Sequence, residues 1–239
     1  FSNIFNSFSL RSIKLAELAG IDIDLSVKEL KILEKGKMID DIKLAALSYC
    51  EMNLYSNNKA LEYLESKRGY KQDDIKAMRL GYLPSMEALY KHLKSLESKE
   101  YTEAQIKEAI NFSENIKEKI LIPLFGKYGK IESFVLHAFK KDDKSKYVNE
   151  GKKIENELLN IHVVRNDCDN ITIVEGIFDV LYSTTKGINN VVALRNNSSL
   201  NKERIKLLKA KDPKKITLCL DNDEGGMNGT KAVLKNLKE

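Results

Sequence analysis

The hydrophobic pattern is clearest between Ile171 and Gly226. There it forms three short apolar runs, Ile171–Val174, Val191–Leu194 and Ile216–Leu220, separated by two polar stretches with helical spacing; a third helical segment follows from Asn228. Strand and helix patterns that alternate at this length predict parallel strands joined by right-handed crossovers. Ligands of such sheets bind beyond the carboxyl ends of the strands. Glu175 follows the first run, and Asp221 and Asp223 follow the third, so three carboxylates are directed to one sheet edge.

Upstream the period is mostly helical. Residues 1–57 contain no proline and place apolar residues at three- and four-residue spacing over Ser12–Ala19 and Ile39–Met52. Ser26 and Glu29 read as a capping box between them, and the whole stretch reads as a helical lead-in or linker region. From Asn58, Leu61, Tyr63 and Leu64 line a helix that ends at Gly69, a C′ position, and a second helix runs over Gln72–Met78. Gly81 and Pro84 predict a turn. Amphipathic helices follow over 86–98 and 102–118, the latter with Thr102 as N-cap. ILIPLF and KIESFVLHAF, joined across Gly126–Gly129, predict a hairpin. The chain therefore reads as α/β: a mixed α+β subdomain over 58–165, then a parallel-sheet subdomain over 166–239. Neither a repeat nor a low-complexity linker separates them, which predicts close packing.

Charge and cysteines narrow the picture slightly. A net charge of +5 permits an acidic partner such as nucleic acid, although solvated Lys-rich helices produce the same balance. Cys50, Cys168 and Cys219 form no C-x-x-C pair, so neither a zinc ribbon nor a disulfide framework is encoded. Cys219 lies within a strand pattern and reads as a small core residue. No apolar run approaches the ~18–20 residues that span a bilayer. The chain begins at Phe1 without a signal peptide, so it reads as an excised piece of a cytoplasmic protein with no membrane partner.

The carboxylates suggest the chemistry. Strand side chains alternate, so D-x-D at a strand end projects Asp221 and Asp223 to the same side, and Gly225-Gly226 lets the backbone turn into the next helix. Glu175-Gly176 repeats the arrangement, with Asp179 one helical turn on. Four carboxylates of this kind suit one or two hard divalent ions, which stabilise the oxygens of an in-line phosphoryl displacement. The plain alternative is that D-N-D-E-G-G is a loop or helix N-cap.

E-G-x-x-D followed by D-x-D-x-x-G on alternating strands and helices resembles the TOPRIM domain, which is shared by bacterial-type primases, topoisomerases, RecR-like proteins and some nucleases. Upstream, ALEYLESKRGYKQDDIKAMRLGYLPS resembles the primase Y-L-x-x-R-G helix and its following turn. KEKILIPLFGKYGKIESFVLHAF resembles the family hairpin, and SKYVNEG its P-K-Y-L-N-S motif. The chain thus resembles the RNA-polymerase core of bacterial-type, DnaG-like DNA primases, of a phage or mobile-element kind, with a Rossmann-like TOPRIM subdomain that is partial at its C-terminus.

The resemblance implies that Glu175 is a general base or metal ligand, that Asp221 and Asp223 bind Mg²⁺ or Mn²⁺, and that Asp179 supports them. It assigns Lys146, Tyr147 and Asn149, with Lys119, His137 and Arg195, to nucleotide or template contacts. Its implied partners are single-stranded DNA, nucleoside triphosphates and a replicative helicase bound through a region outside this chain. Four departures stand out. His137 and Lys119 replace family arginines, Arg195-Asn196-Asn197 replaces a glycine turn, and a further acidic pair is not reached before the chain ends. A TOPRIM nuclease and a non-catalytic nucleic-acid-binding adaptor are the competing readings.

Overall fold

The computed structural model describes residues 18–19, 27–96, 101–126, 129–140, 147–149, 158–194 and 200–238. The helical prediction over residues 12–19 and the Ser26–Glu29 capping box fall largely outside them.

Helix α1 runs over Val27–Tyr55. Ile42, Ala46, Leu47, Cys50 and Leu54 are fully buried along one of its stripes, at helical spacing. From Ile42 onward the helix belongs to the core and is not a lead-in: Ile42, Ala46, Leu47 and Cys50 cluster with Leu83, Met86, Leu93, Leu121 and Phe134, and Leu54 with Ala60 and Leu64. Helix α2, Asn58–Glu62, is capped by Asn57, whose side chain accepts the Ala60 N–H, and continues as a π-helical turn over Tyr63–Lys67. Gly69 then reverses the chain at φ +71°. Helix α3 covers Gln72–Ala77.

The predicted turn at Gly81 and Pro84 is instead strand β1, Gly81–Ser85, antiparallel to β2, Lys117–Phe125. Proline is tolerated there because β1 is the outer strand of the order β1-β2-β3-β4. Helices α4, Met86–Lys94, and α5, Glu103–Ala109, are shorter than predicted. Beyond Ala109, Ile110 and Phe112 both turn inward, a spacing of two that an α-helix cannot keep on one face. The Thr102 cap is present: its Oγ1 accepts the Gln105 N–H at 3.3 Å, and Gln105 Oε1 accepts the Thr102 N–H at 2.9 Å. Strand β3, Ile131–His137, pairs with β2, and β4, Tyr147–Asn149, pairs with β3.

The second sheet forms from the three apolar runs. Strands β5, Asn170–Val174, β6, Val191–Ala193, and β7, Lys215–Cys219, lie in the order β6-β5-β7, all parallel. Helices α6, Ile177–Thr185, and α7, Lys202–Lys209, make the crossovers. Helix α8, Glu224–Lys238, begins before the predicted Asn228. Cys219 is exposed, not a core residue, because β7 is an outer strand of the described sheet.

The two sheets meet through one apolar cluster. Leu64, Tyr70 and Ile75 from the first half pack with Val174, Ile177, Phe178 and Val191 from the second, so the halves share a core.

Candidate active site

Parallel register builds the acidic edge. Val174 pairs with Cys219, so the residues just beyond, Glu175 and Asp221, emerge side by side. The Glu175 carboxylate accepts the Asp221 backbone N–H. Asp223 caps α8: its Oδ1 accepts the Gly226 N–H at 2.8 Å. The plain helix-cap reading of this aspartate is therefore realised, and it leaves the second carboxylate oxygen for other work.

Asp179 lies in the first turn of α6 and accepts the Gly176 N–H. A Cβ at Gly176 would collide with Asp179 Oδ2, and one at Gly226 would collide with the Asp221 carbonyl oxygen. Backbone crowding thus requires glycine at 226, whereas at 176 the crowding atoms are the movable end of the Asp179 side chain. Gly226 lies inside α8, so it packs the helix start against the strand end and does not form the predicted sharp turn.

The carboxylates oppose one another. Desolvation raises the Glu175 pKa above the usual carboxylate value, the Asp221 charge adds to the rise, and Asp223 contributes further. Desolvation and then the Asp221 charge raise Asp179 as well, while Arg68 and the Gly176 N–H partly offset this. Asp221 and Asp223 are exposed. Among the described residues no three such side chains are drawn close enough to hold an ion as they stand. The donor set nevertheless fits a hard divalent cation: it is all oxygen, concentrated at one edge, and its internal repulsion is what a cation relieves.

Facing this edge is a cationic and aromatic cluster whose centre, Arg68, carried no assigned role in the sequence reading. Arg68 follows the π-helical turn. Its Nε donates to the Tyr63 hydroxyl at 2.9 Å, and Nη2 approaches His137 Nε2 at 3.3 Å. The Tyr63 hydroxyl lies 2.7 Å from the same nitrogen. Two donors around Nε2 make it the acceptor, which assigns the ring proton to Nδ1. The guanidinium also stands 4.5 Å from the Phe178 ring centroid and interacts with the charge of Asp179 in the next residue. Arg68 was visible only as the arginine before Gly69 in the stretch that resembles the family Y-L-x-x-R-G helix, where this chain has one residue more between Leu64 and Arg68; its partners His137 and Phe178 lie too far along the chain for spacing to reveal them.

The other predicted residues divide. Tyr147 joins the cluster: its ring centroid is 4.6 Å from that of His137, and desolvation raises its pKa while Arg68 lowers it. His137 is only 1% exposed, so it holds Arg68 and Tyr63 and is not a surface contact. Lys119 pairs with Leu83 in β1 and shares the Leu121 face, whereas Ile120 pairs with His137 on the opposite face. Strand alternation therefore directs Lys119, itself buried, away from Arg68. Asn149 is described only as a backbone position of β4, paired with Val135. Lys146 and Arg195 lie outside the described residues.

Comparison with known proteins matches both halves. Residues 48–155 match the family model described as DNA primase catalytic core, N-terminal domain, and residues 172–239 match a Toprim-like model. The DNA primase of Clostridium acetobutylicum is 32% identical over 240 residues, covering 94% of this chain and 39% of that protein. Among solved structures, the zinc-binding and RNA polymerase domains of the Aquifex aeolicus primase superpose with a TM-score of 0.69 at 24% identity, covering 98% of this chain and 59% of that one. The RNA polymerase domain of Mycobacterium tuberculosis primase DnaG, in complex with a double-stranded DNA oligomer with a 6-nucleotide overhang, gives 0.66 at 21% identity, covering 80% and 65%. At these identities the structural likeness establishes the fold alone. The paired acidic motifs, the antiparallel first sheet followed by a parallel one and the two family matches in chain order make this chain a member of the DnaG-like DNA primases, carrying the N-terminal part of the catalytic core and a Toprim-like segment.

Proposed function

We propose that this chain works in template-directed synthesis of short RNA primers on single-stranded DNA, joining nucleoside triphosphates by metal-dependent nucleotidyl transfer. One observation carries the reading: Glu175 and Asp221 share a sheet edge, and Asp179, in the adjoining first turn of α6, faces Arg68 and Tyr147 across the junction of the two halves.

Each side chain then has a physical task. Glu175 has a raised proton affinity and stands against the Asp221 N–H, so it is the group to hold or accept the proton of an attacking 3′-hydroxyl. Asp221, Asp223 and Glu175 would hold Mg²⁺ or Mn²⁺, which when bound supplies charge stabilisation to the transferring phosphoryl group. Asp179 orients the first turn of α6 and faces Arg68. Arg68 offers a fixed guanidinium for a phosphate, and Tyr147 offers a stacking face for a base. Lys146, Asn149 and Arg195 supply further template or nucleotide contacts, with Lys119 more remote. A replicative helicase would engage the protein through a region outside this chain.

The test is one gel with end-labelled single-stranded DNA, labelled nucleoside triphosphates and Mn²⁺, run for wild type and Glu175→Gln. Short labelled products that disappear in the variant are the expected result. A shortened template would instead assign a Toprim nuclease. DNA binding with neither label changed would assign an adaptor.

A further inference from the structure

Residues 68–74 grip helix α6 along its whole length. At the first turn, Arg68 lies over Phe178 and interacts with Asp179. At mid-helix, the Tyr70 ring stacks on Tyr182 with centroids 5.2 Å apart. At the last turn, Asp74 Oδ1 accepts Lys186 Nζ at 2.6 Å and the Thr185 hydroxyl at 3.3 Å. The other oxygen, Oδ2, accepts the Lys71 N–H at 3.1 Å, which caps α3. A single carboxylate thus joins the start of a helix in the first half to the end of a helix in the second.

Asp74 is only 5% exposed, and its partner in sequence, Asp73, is exposed. Lys186 also lies 4.8 Å from the Tyr182 ring centroid, so the ammonium is held from two sides. A buried carboxylate with every oxygen engaged fixes geometry more tightly than a solvated surface pair. Helix α6 is nine residues long, with Asp179 in its first turn and Glu175 just before its N-cap, Gly176.

We propose that Asp74 is a positioning residue. By holding Lys186 and Thr185 at the last turn of α6, it sets where the first turn, and with it Asp179 and Glu175, stands against Arg68. The functional value of this contact rests on the reading of that edge as the reactive one, but the mechanical claim can be tested separately.

The experiment is hydrogen exchange on the full chain without metal, comparing wild type, Lys186→Met and Lys186→Arg. The Met variant removes the ammonium at a side chain that is 41% exposed and leaves the α3 cap in place. Positioning predicts exchange roughly tenfold faster in peptides covering 176–182 and 68–70, remote from the substitution, with the Arg variant close to wild type. Faster exchange confined to 183–188 and 71–75 would overturn the proposal. So would a uniform rise over the whole chain that follows a lowered unfolding midpoint. A parallel Mn²⁺ titration separates the two readings. Lys186→Met should weaken Mn²⁺ binding several-fold, whereas Glu175→Gln with unchanged Mn²⁺ affinity would refute the metal edge without touching the exchange result.

Discussion

Acidic groups meet the two ends of helix α6 in opposite circumstances. At its start, Glu175 and Asp179 lie among other carboxylates, and desolvation followed by the charge of Asp221 raises the pKa of both. At its end, Asp74 is satisfied chiefly by Lys186, which lowers its pKa. One end stores repulsion and the other relieves it. Ordinary structural carboxylates resemble Asp74, and groups kept in the manner of Glu175 are the mark of a site that expects a cation or a proton.

Removing the reactive end should have the largest consequence. Asp221→Asn is expected to lower single-turnover primer synthesis by about a hundredfold or more, the scale of losing a metal ligand or its support, as measured by labelled-product gels. Turnover left intact would mean that the edge is misassigned. Arg68→Ala should follow, with a loss of about tenfold to a hundredfold in kcat/KM, and Arg68→Lys should recover little because an ammonium cannot reproduce the fork held by Tyr63 and His137. Full recovery by lysine would reduce Arg68 to a point charge.

The motif glycines sharpen the comparison on a smaller scale. Gly226→Ala meets backbone at Asp221 and should cost about 1–3 kcal/mol in urea unfolding, the usual range for overpacking. Gly176→Ala meets only the exposed carboxylate of Asp179, which can swing aside, so its cost should be lower. Equal costs would contradict the clearance argument.

The smallest effects are those of pH, and they have opposite signs at the two ends. A carboxylate with a raised folded pKa binds protons more tightly in the native state, so its contribution to stability is greatest at low pH and falls as pH rises through that pKa. Asp179→Asn should therefore raise the melting temperature slightly at neutral pH, by about 1–3 °C in metal-free buffer. Asp74 behaves in reverse: its contribution is present above the ordinary carboxylate range and is lost as pH falls through its depressed value. Asp74→Asn should thus destabilise at neutral pH and converge with wild type in acid. Thermal melts across pH 3–7, an interval chosen around the ordinary carboxylate values, distinguish the two.

The same contrast explains what could be read from sequence. The acidic edge is a local matter: strand-terminal residues in a parallel sheet come together by register, so Glu175 and Asp221 were visible once the apolar runs were recognised. Thr102 was equally legible because a capping box is a four-residue pattern. Arg68 and Asp74 were not, since their partners His137 and Lys186 stand 69 and 112 residues away. The face that Lys119 takes was not legible, because the run after it, ILIPLF, is apolar throughout and alternation cannot reveal which face is which. Gly81 and Pro84 read as a turn because both residues usually break strands; Pro84 is admitted by the outer position of β1, and Gly81 is needed because helix α1 approaches it at Cys50. Cys219 looked buried because a strand pattern does not reveal that its strand lies at a sheet edge.

Primer synthesis at this junction requires the acidic edge and the Arg68 cluster to form one site. Its most direct test is nuclear magnetic resonance of the full chain titrated with Mn²⁺, following the Arg68 side-chain Nε–H and the Tyr147 ring. A bound paramagnetic ion should broaden both signals in wild type, and Asp221→Asn should restore them to sharp lines. If both stay sharp while Mn²⁺ binds, or broaden equally in the variant, the two regions are separate and the account is wrong.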